Sequence, residues 1–169
     1  MAKHLGSNTK IAELTSFFSA GSDIDSTDTE PKGQMKTCSV NYQNPTDARK
    51  LLTTSMDVAS GIFSQPMPVE IMVMGDESKF RLEDNLIRLS QVNAAALTAT
   101  MKSQEPKLGV TYSHYAWSGV RLEGPSPFSS TPTLRLDVED RLAVNDIKKN
   151  GYASVTTDGK TIKTNDLTS

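Results

Sequence analysis

The chain has 169 residues, of which 36% are hydrophobic, and its formal net charge is −2 at pH 7. This length predicts one domain rather than two. The nearly balanced charge does not favour binding to nucleic-acid phosphates, which usually needs a basic surface. The single cysteine, Cys38, excludes an internal disulfide and favours a reducing compartment. The chain contains no run of about 18 apolar residues, so the sequence does not predict a membrane-spanning helix.

The N-terminal region is predicted to be an arm on a tether. Apolar residues recur at helical spacing between residues 8 and 20, namely Ile11, Leu14, Phe17 and Phe18. Residues 21–34 are acidic, rich in Ser, Thr and Gly and poor in apolar residues, which predicts an exposed linker. We therefore divide the chain into an arm with its linker, residues 1–34, and a globular domain, residues 35–165.

The arm helix has two possible docking partners. A helix this short is marginal on its own and must pack against something. It can pack on the core of its own chain, or the linker can carry it to a neighbouring copy. In the second case Ile11, Leu14, Phe17 and Phe18 are the self-association residues.

The body of the chain combines strand and helix patterns. Alternation at Cys38, Val40 and Tyr42 predicts a half-buried strand. Apolar stripes predict helices over residues 45–61 and 80–102, with Pro106 ending the second. A short strand is predicted between them, carrying Val69, Ile71 and Val73.

The C-terminal part favours β structure. Alternation predicts strands over residues 108–115 and 134–138. Asp158-Gly159 predicts a hairpin with a type I′ turn, in which both central residues have positive φ. The elements together predict an α+β fold: a compact single domain whose antiparallel sheet packs against two main helices, with a tethered N-terminal helical arm.

The sequence contains few candidate catalytic or metal-binding residues. Cys38 and His114 form a conceivable nucleophilic pair, but no local motif supports it. One cysteine and two distant histidines do not make a zinc site, and no nucleotide-binding motif is present. We therefore predict a protein that is not an enzyme and that needs no metal or cofactor.

An aromatic cluster stands out at residues 112–117. On a strand, Tyr112 and His114 face one way while Tyr115 and Trp117 face the other. One pair is expected in the core, and the other pair, Tyr115 and Trp117, is the candidate protein interface. Stacking on single-stranded nucleic acid is the rival use, although few basic residues are near.

The order of elements resembles a known family. Val69-Glu70-Ile71-Met72-Val73-Met74, a turn, and a helix from Arg81 look similar to the matrix proteins of rhabdoviruses, particularly the short ones of plant-infecting members. The likeness covers residues 35–145. It implies a virion and host-cytoplasm location, condensation of a viral nucleocapsid and contact with a membrane surface.

These observations favour a non-enzymatic structural protein that self-associates into a homo-oligomer, and the resemblance makes it a matrix-like protein linking nucleocapsid and envelope. Direct nucleic-acid binding is not expected. Two alternatives stay open. One is an RNA-binding viral coat subunit, which would need a basic inner surface. The other is a small cytoplasmic enzyme using Cys38 and His114.

Overall fold

The computed structural model describes residues 1–73, 76–125 and 131–168. Within them the chain forms one nine-stranded antiparallel sheet and one long helix. The strands are β1 Lys10–Phe18, β2 Met35–Asn44, β3 Asp47–Asp57, β4 Met67–Val69, β5 Ile87–Arg88, β6 Tyr112–Glu123, β7 Thr133–Leu142, β8 Lys148–Thr156 and β9 Ile162–Asp166. The helices are α1 Ala2–Leu5 and α2 Ala94–Thr111, with short 3-10 turns at Glu77–Lys79, Leu82–Asn85 and Leu89–Gln91.

The sheet has the strand order β4-β3-β2-β1-β6-β7-β8-β9, and β5 also pairs with β1. The mixed fold class and the antiparallel sheet are confirmed. Only one main helix is observed in the described residues, so the second predicted helix is not confirmed. No helix in the described part of the chain has the length and apolar character needed to cross a bilayer.

The predicted N-terminal helix is wrong, because residues 10–18 form β1 in the middle of the sheet. This strand pairs with β2 on one side and with β6 on the other. An irregularity between Ile11 and Glu13 shifts the register by one residue. A bulge of this kind places residues three apart on one face, so Ile11 and Leu14 both point to the core and imitate a helical period.

The predicted exposed linker is also wrong, because residues 21–34 are docked on the body. Ile24 is buried together with Ala20 and Ala116 of β6. The buried Asp28 carboxylate accepts a hydrogen bond from the Ala20 backbone N–H at 3.0 Å and pairs with Lys36 at 3.0 Å. Since β1 and β2 pair across this loop, no domain boundary falls at residue 34.

The segment predicted as a helix over residues 45–61 forms β3, which pairs with β2 along most of its length. Its central residues Thr53 and Thr54 are β-branched and suit a strand. The predicted strand at Val69–Val73 is reduced to β4, which ends at Val69. The turn predicted to follow it begins at Gly75, which lies outside the described residues.

The second predicted helix begins later and ends later than expected. It starts at Ala94, where the Asn93 side chain accepts the backbone N–H of Ala96 at 3.0 Å and caps the first turn. Pro106 lies inside α2 and does not end it. The helix continues to Thr111, so the predicted strand over 108–115 is a helix end followed by the start of β6.

The core lies between α2 and one face of the sheet. Strand β7 contributes Leu134, Leu136 and Val138, all at most 1% exposed, which confirms the predicted alternation over 134–138. The alternation of Cys38, Val40 and Tyr42 in β2 is likewise confirmed, since all three are buried.

The hairpin at Asp158-Gly159 joins β8 to β9 as predicted. Its turn is different from the predicted one. Gly159 has a φ of 72°, but Asp158 has no positive φ, since Asp146 is the only non-glycine residue with one in the described ranges. The Gly159 N–H bonds to the Thr156 carbonyl at 2.7 Å, so the glycine ends a turn that type I′ geometry does not describe.

Gly159 supports a test of how closely this hairpin approaches the helix. A Cβ at Gly159 would meet the Leu97 backbone nitrogen at 2.6 Å, whereas a Cβ at Gly61, whose φ is 70°, would meet nothing within 4 Å. Gly61→Ala should cost about 1–2 kcal/mol of unfolding free energy for the left-handed backbone. Gly159→Ala should cost at least about 3 kcal/mol, because overpacking against α2 is added. Urea unfolding of both variants measures the difference, and equal costs would contradict the close approach.

Candidate interaction surfaces

The predicted self-association residues do not form one exposed face. Ile11 is 0% exposed and belongs to the core of its own chain. Leu14 and Phe18 are half-buried against the same core, while Phe17, which is 44% exposed, points to the opposite face of the sheet. The tethered helix on which this prediction rested is absent, and only Phe17 offers substantial apolar surface.

Tyr115 and Trp117 are half-buried and face α2. Their cross-strand neighbours are Asp140 and Val138, which are fully buried on that face. An irregularity between Tyr112 and His114 brings Tyr112 onto the same face as Tyr115 and Trp117, and all three meet in one cluster. The predicted division into a Tyr112–His114 pair and a Tyr115–Trp117 pair is therefore wrong, because a strand with a bulge does not alternate strictly.

Cys38 and His114 are not brought together. Cys38 is buried on the helix-covered face, where the Ser16 hydroxyl donates to its Sγ atom at 3.5 Å. His114 is exposed and lies opposite Arg141 on the other face. Across the described ranges, no three His, Cys, Asp or Glu side chains group closely enough to hold a metal ion.

An apolar tip, made of Val110, Val144 and Ile147, projects at one end of the molecule. Their exposed fractions are 83%, 85% and 55%. Val110 lies near the end of α2, and the other two lie in the β7–β8 turn. The Ala143 N–H bonds to the Thr111 carbonyl at 3.2 Å, which holds this turn against the helix end.

Three further exposed apolar side chains, Ile62, Met67 and Met72, are spaced along the segment that borders β3, and we call this row the apolar edge. These side chains are 68%, 59% and 93% exposed. Met67 lies in the edge strand β4 opposite Thr53, and Ile62 lies beside the end of β3 through a backbone bond to Asp57 at 2.8 Å. No single periodic pattern joins the residues of either surface, since Val110 comes from the end of α2 and the others come from turns, a strand end and an irregular segment.

The open face of the sheet is polar and internally paired. The Asp137 carboxylate accepts hydrogen bonds from both Arg121, at 2.9 Å, and Arg135, at 2.8 Å. The Arg135 guanidinium also stacks over the Tyr152 ring, 3.8 Å from its centre. Because one carboxylate neutralises part of the charge of two paired arginines, this face does not present a strong field to an anionic polymer.

Lys148 joins the docked loop to this face. Its ammonium group lies 2.7 Å from Asp25 and 2.9 Å from Glu139. The hydrogen bond from Lys148 holds the pKa of the Asp25 carboxyl well below its usual range, and hydrogen bonds to Asp25 and Glu139 raise the pKa of Lys148. The loop is therefore fixed by charge as well as by the burial of Ile24.

Asp140 is a buried carboxylate with an unusual environment. It is 0% exposed, and neither of its oxygens has a hydrogen-bond partner. Burial raises its pKa to about 6; the charge of Lys149 acts against this shift and that of Glu139 adds to it. The pKa of Tyr112 is raised as well, by burial and then by the charge of Asp140.

Comparison with known proteins returns no match: no family model, no curated protein and no solved structure resembles this chain significantly.

Asp140 predicts a specific dependence of stability on pH. Its folded pKa lies above the unfolded value of 3.8, so the folded state holds a proton that the unfolded state releases between about pH 4 and pH 6. The contribution of Asp140 to the free energy of unfolding therefore falls as pH rises through this window. Asp140→Asn removes the titration, so the stability of the wild type relative to this variant should decrease by about 2–3 kcal/mol from pH 4 to pH 7.

Urea unfolding of wild type and Asp140→Asn across this pH range measures the effect. Asp84→Asn removes a carboxylate from an exposed turn and controls for the change in net charge. A constant difference between wild type and Asp140→Asn at every pH would show that the Asp140 carboxyl does not titrate abnormally.

Proposed function

We propose that this protein is a non-enzymatic structural protein that self-associates through the apolar tip and the apolar edge. The observation that carries the proposal is the high exposure of six large apolar side chains, three at the tip, where the β7–β8 turn bonds to the end of α2, and three along the edge. Single exposed apolar residues are ordinary, whereas grouped ones mark interaction surfaces. A structural role needs surfaces of this kind and does not need a catalytic group.

The two surfaces are well separated. The tip adjoins β7 and β8, the edge adjoins β3 and β4, and five strand spacings separate β4 from β7 in the sheet order. At 4.7–4.9 Å per spacing, this is roughly 24 Å. A contact between the tip of one copy and the edge of the next is heterologous, so each copy binds two neighbours and the assembly grows into a ring or a filament.

A coat subunit that binds RNA is less well supported. Many basic side chains of the described residues are already engaged by carboxylates, among them Lys10, Lys36, Arg49, Lys79, Arg121, Arg135, Arg141 and Lys148. Phosphate binding would have to displace these partners, which lowers the gain from counterion release. An enzyme that uses Cys38 with His114 is disfavoured, because the two residues lie on opposite faces of the sheet.

A matrix-like role between nucleocapsid and envelope is the more specific form of the proposal. The resemblance that implied it rested on a strand–helix–strand–helix order from residue 35 onward. The observed order has strands where the first of those helices was expected. We therefore retain the general proposal of self-association and leave the nucleocapsid and the membrane surface as partners implied by the resemblance alone.

Charge placed in the apolar tip tests the proposal. Val144→Asp should weaken self-association at least about tenfold, because burying one valine at an interface contributes on the order of 1.5 kcal/mol or more and a carboxylate there must be desolvated. Sedimentation velocity over a concentration series measures the mass distribution. Ser90→Asp is the matched control: it adds the same charge at an exposed position before α2, which is roughly 27 Å long.

Mixing two variants tests whether the contact joins tip to edge. Val144→Asp and Met72→Asp should each be monomeric, since each lacks one of the two surfaces. Their equimolar mixture should form a dimer, because one intact tip can still meet one intact edge. A wild type that stays monomeric at every concentration contradicts the proposal, as does a Val144→Asp protein that assembles normally.

A further inference from the structure

An apolar cavity lies between α2 and the sheet. Its volume is about 810 Å³, within the range of about 300–1,000 Å³ that is typical of small-molecule sites. Leu14, Phe18 and Trp117 line it from the sheet, and Leu97 and Met101 line it from the helix. Most of these side chains remain half-buried, because the helix does not close onto the strands at this place.

This cavity is open to solvent along one side, since Ala94, Thr98 and Lys102 of its lining are exposed. Apolar side chains that stay in contact with water are unfavourable, so a ligand that covers this lining is stabilised. An empty apolar space also forfeits the dispersion contacts that its lining atoms would otherwise make. An apolar guest of suitable length would restore those contacts along α2, from Ala94 to Glu105, a distance of roughly 16 Å at 1.5 Å per residue.

The rim of the cavity carries a distinct set of charges. Lys32 from the docked loop and Lys102 from α2 both line it, together with Glu105. Neither lysine forms an ion pair with any residue that the structure describes. The Lys32 ammonium group lies 5.0 Å from the centre of the Tyr115 ring. Two ammonium groups and one carboxylate leave the rim with one net positive charge.

We propose that this cavity binds a single-chain amphiphile with a carboxylate head group, of the fatty-acid class. The apolar tail lies under α2 against Leu14, Phe18 and Trp117. The carboxylate lies at the rim between Lys32 and Lys102, where it stays hydrated and gains two cationic neighbours. A head group with one negative charge matches the rim, since Glu105 offsets one of the lysines.

The single tryptophan of the chain provides the measurement, because Trp117 lines the cavity. Laurate, kept below its micelle concentration, should shift or quench the Trp117 emission in a saturable way and raise the melting temperature. Dodecanol, with the same tail and no charge, should bind more weakly. Dodecyltrimethylammonium, with a cationic head, should bind weakest of the three.

Variants separate recognition of the head from recognition of the tail. Lys32→Gln combined with Lys102→Gln should weaken laurate binding about fivefold or more and change dodecanol binding less than twofold. Lys107→Gln removes a charge from the same helix outside this cavity and should leave laurate binding unchanged. Thr98→Phe places a ring in the cavity and should weaken binding of both ligands.

Three outcomes would overturn this proposal. The first is no saturable change in Trp117 emission with laurate, and the second is equal laurate affinity in the double lysine variant and in Lys107→Gln. The third is laurate binding that Thr98→Phe leaves intact while its far-ultraviolet circular dichroism remains that of the wild type. None of these results bears on self-association, because the cavity and the apolar tip are measured by independent experiments.

Discussion

The fold depends on the pairing of β1 with strands from both halves of the chain. Before it in sheet order lie β4, β3 and β2, which form a meander, and after it lie β6 to β9, which form a second meander. Among the strands that the structure describes, β1 alone joins the two, through hydrogen bonds to β2 on one edge and to β6 on the other. Its inward side chains, led by Ile11, enter the core that α2 covers. The segment that was predicted to be a tethered helical arm, residues 8–20, therefore contains β1, a central strand of the sheet.

The position of α2 follows from how its N-terminal half is tied to the β8–β9 hairpin. The Thr100 hydroxyl donates to the Gly159 carbonyl at 2.6 Å, and the absence of a side chain at Gly159 lets the hairpin touch the helix backbone. At the other end, α2 runs without a loop into β6, and Leu108 is fully buried. The helix is therefore held at both ends, and the apolar cavity lies along the side of it from Ala94 to Glu105.

The sequence predicted the buried face of a strand correctly where the strand is regular and failed where it is not. Strand β7 alternates without interruption, so Leu134, Leu136 and Val138 were correctly predicted as one buried face. Strands β1 and β6 each contain a register shift, and there the simple period failed. A period of two broken by one extra residue is easily taken for a period near 3.6.

Long-range contacts explain the remaining differences. The residues around Asp25 in sequence do not indicate that it will form an ion pair with Lys148. Likewise, the residues around Thr111 do not indicate that its carbonyl will accept a hydrogen bond from Ala143. The candidate surfaces arise from such contacts, because a turn residue such as Val144 belongs to a surface only once the helix end lies beside it. Periodicity describes one element at a time and does not contain this information.

The apolar tip is fixed in place, which matters for its proposed use. The β7–β8 turn is closed by backbone bonds from Leu142 to Ile147 at 3.0 Å and from Asp146 to Leu142 at 2.8 Å, with Asp146 in the left-handed region. The Arg141 guanidinium adds a hydrogen bond to the Asp146 carbonyl at 3.1 Å. Because the turn is already ordered, binding through Val144 and Ile147 loses little conformational entropy, and more of the gain from burial remains for association.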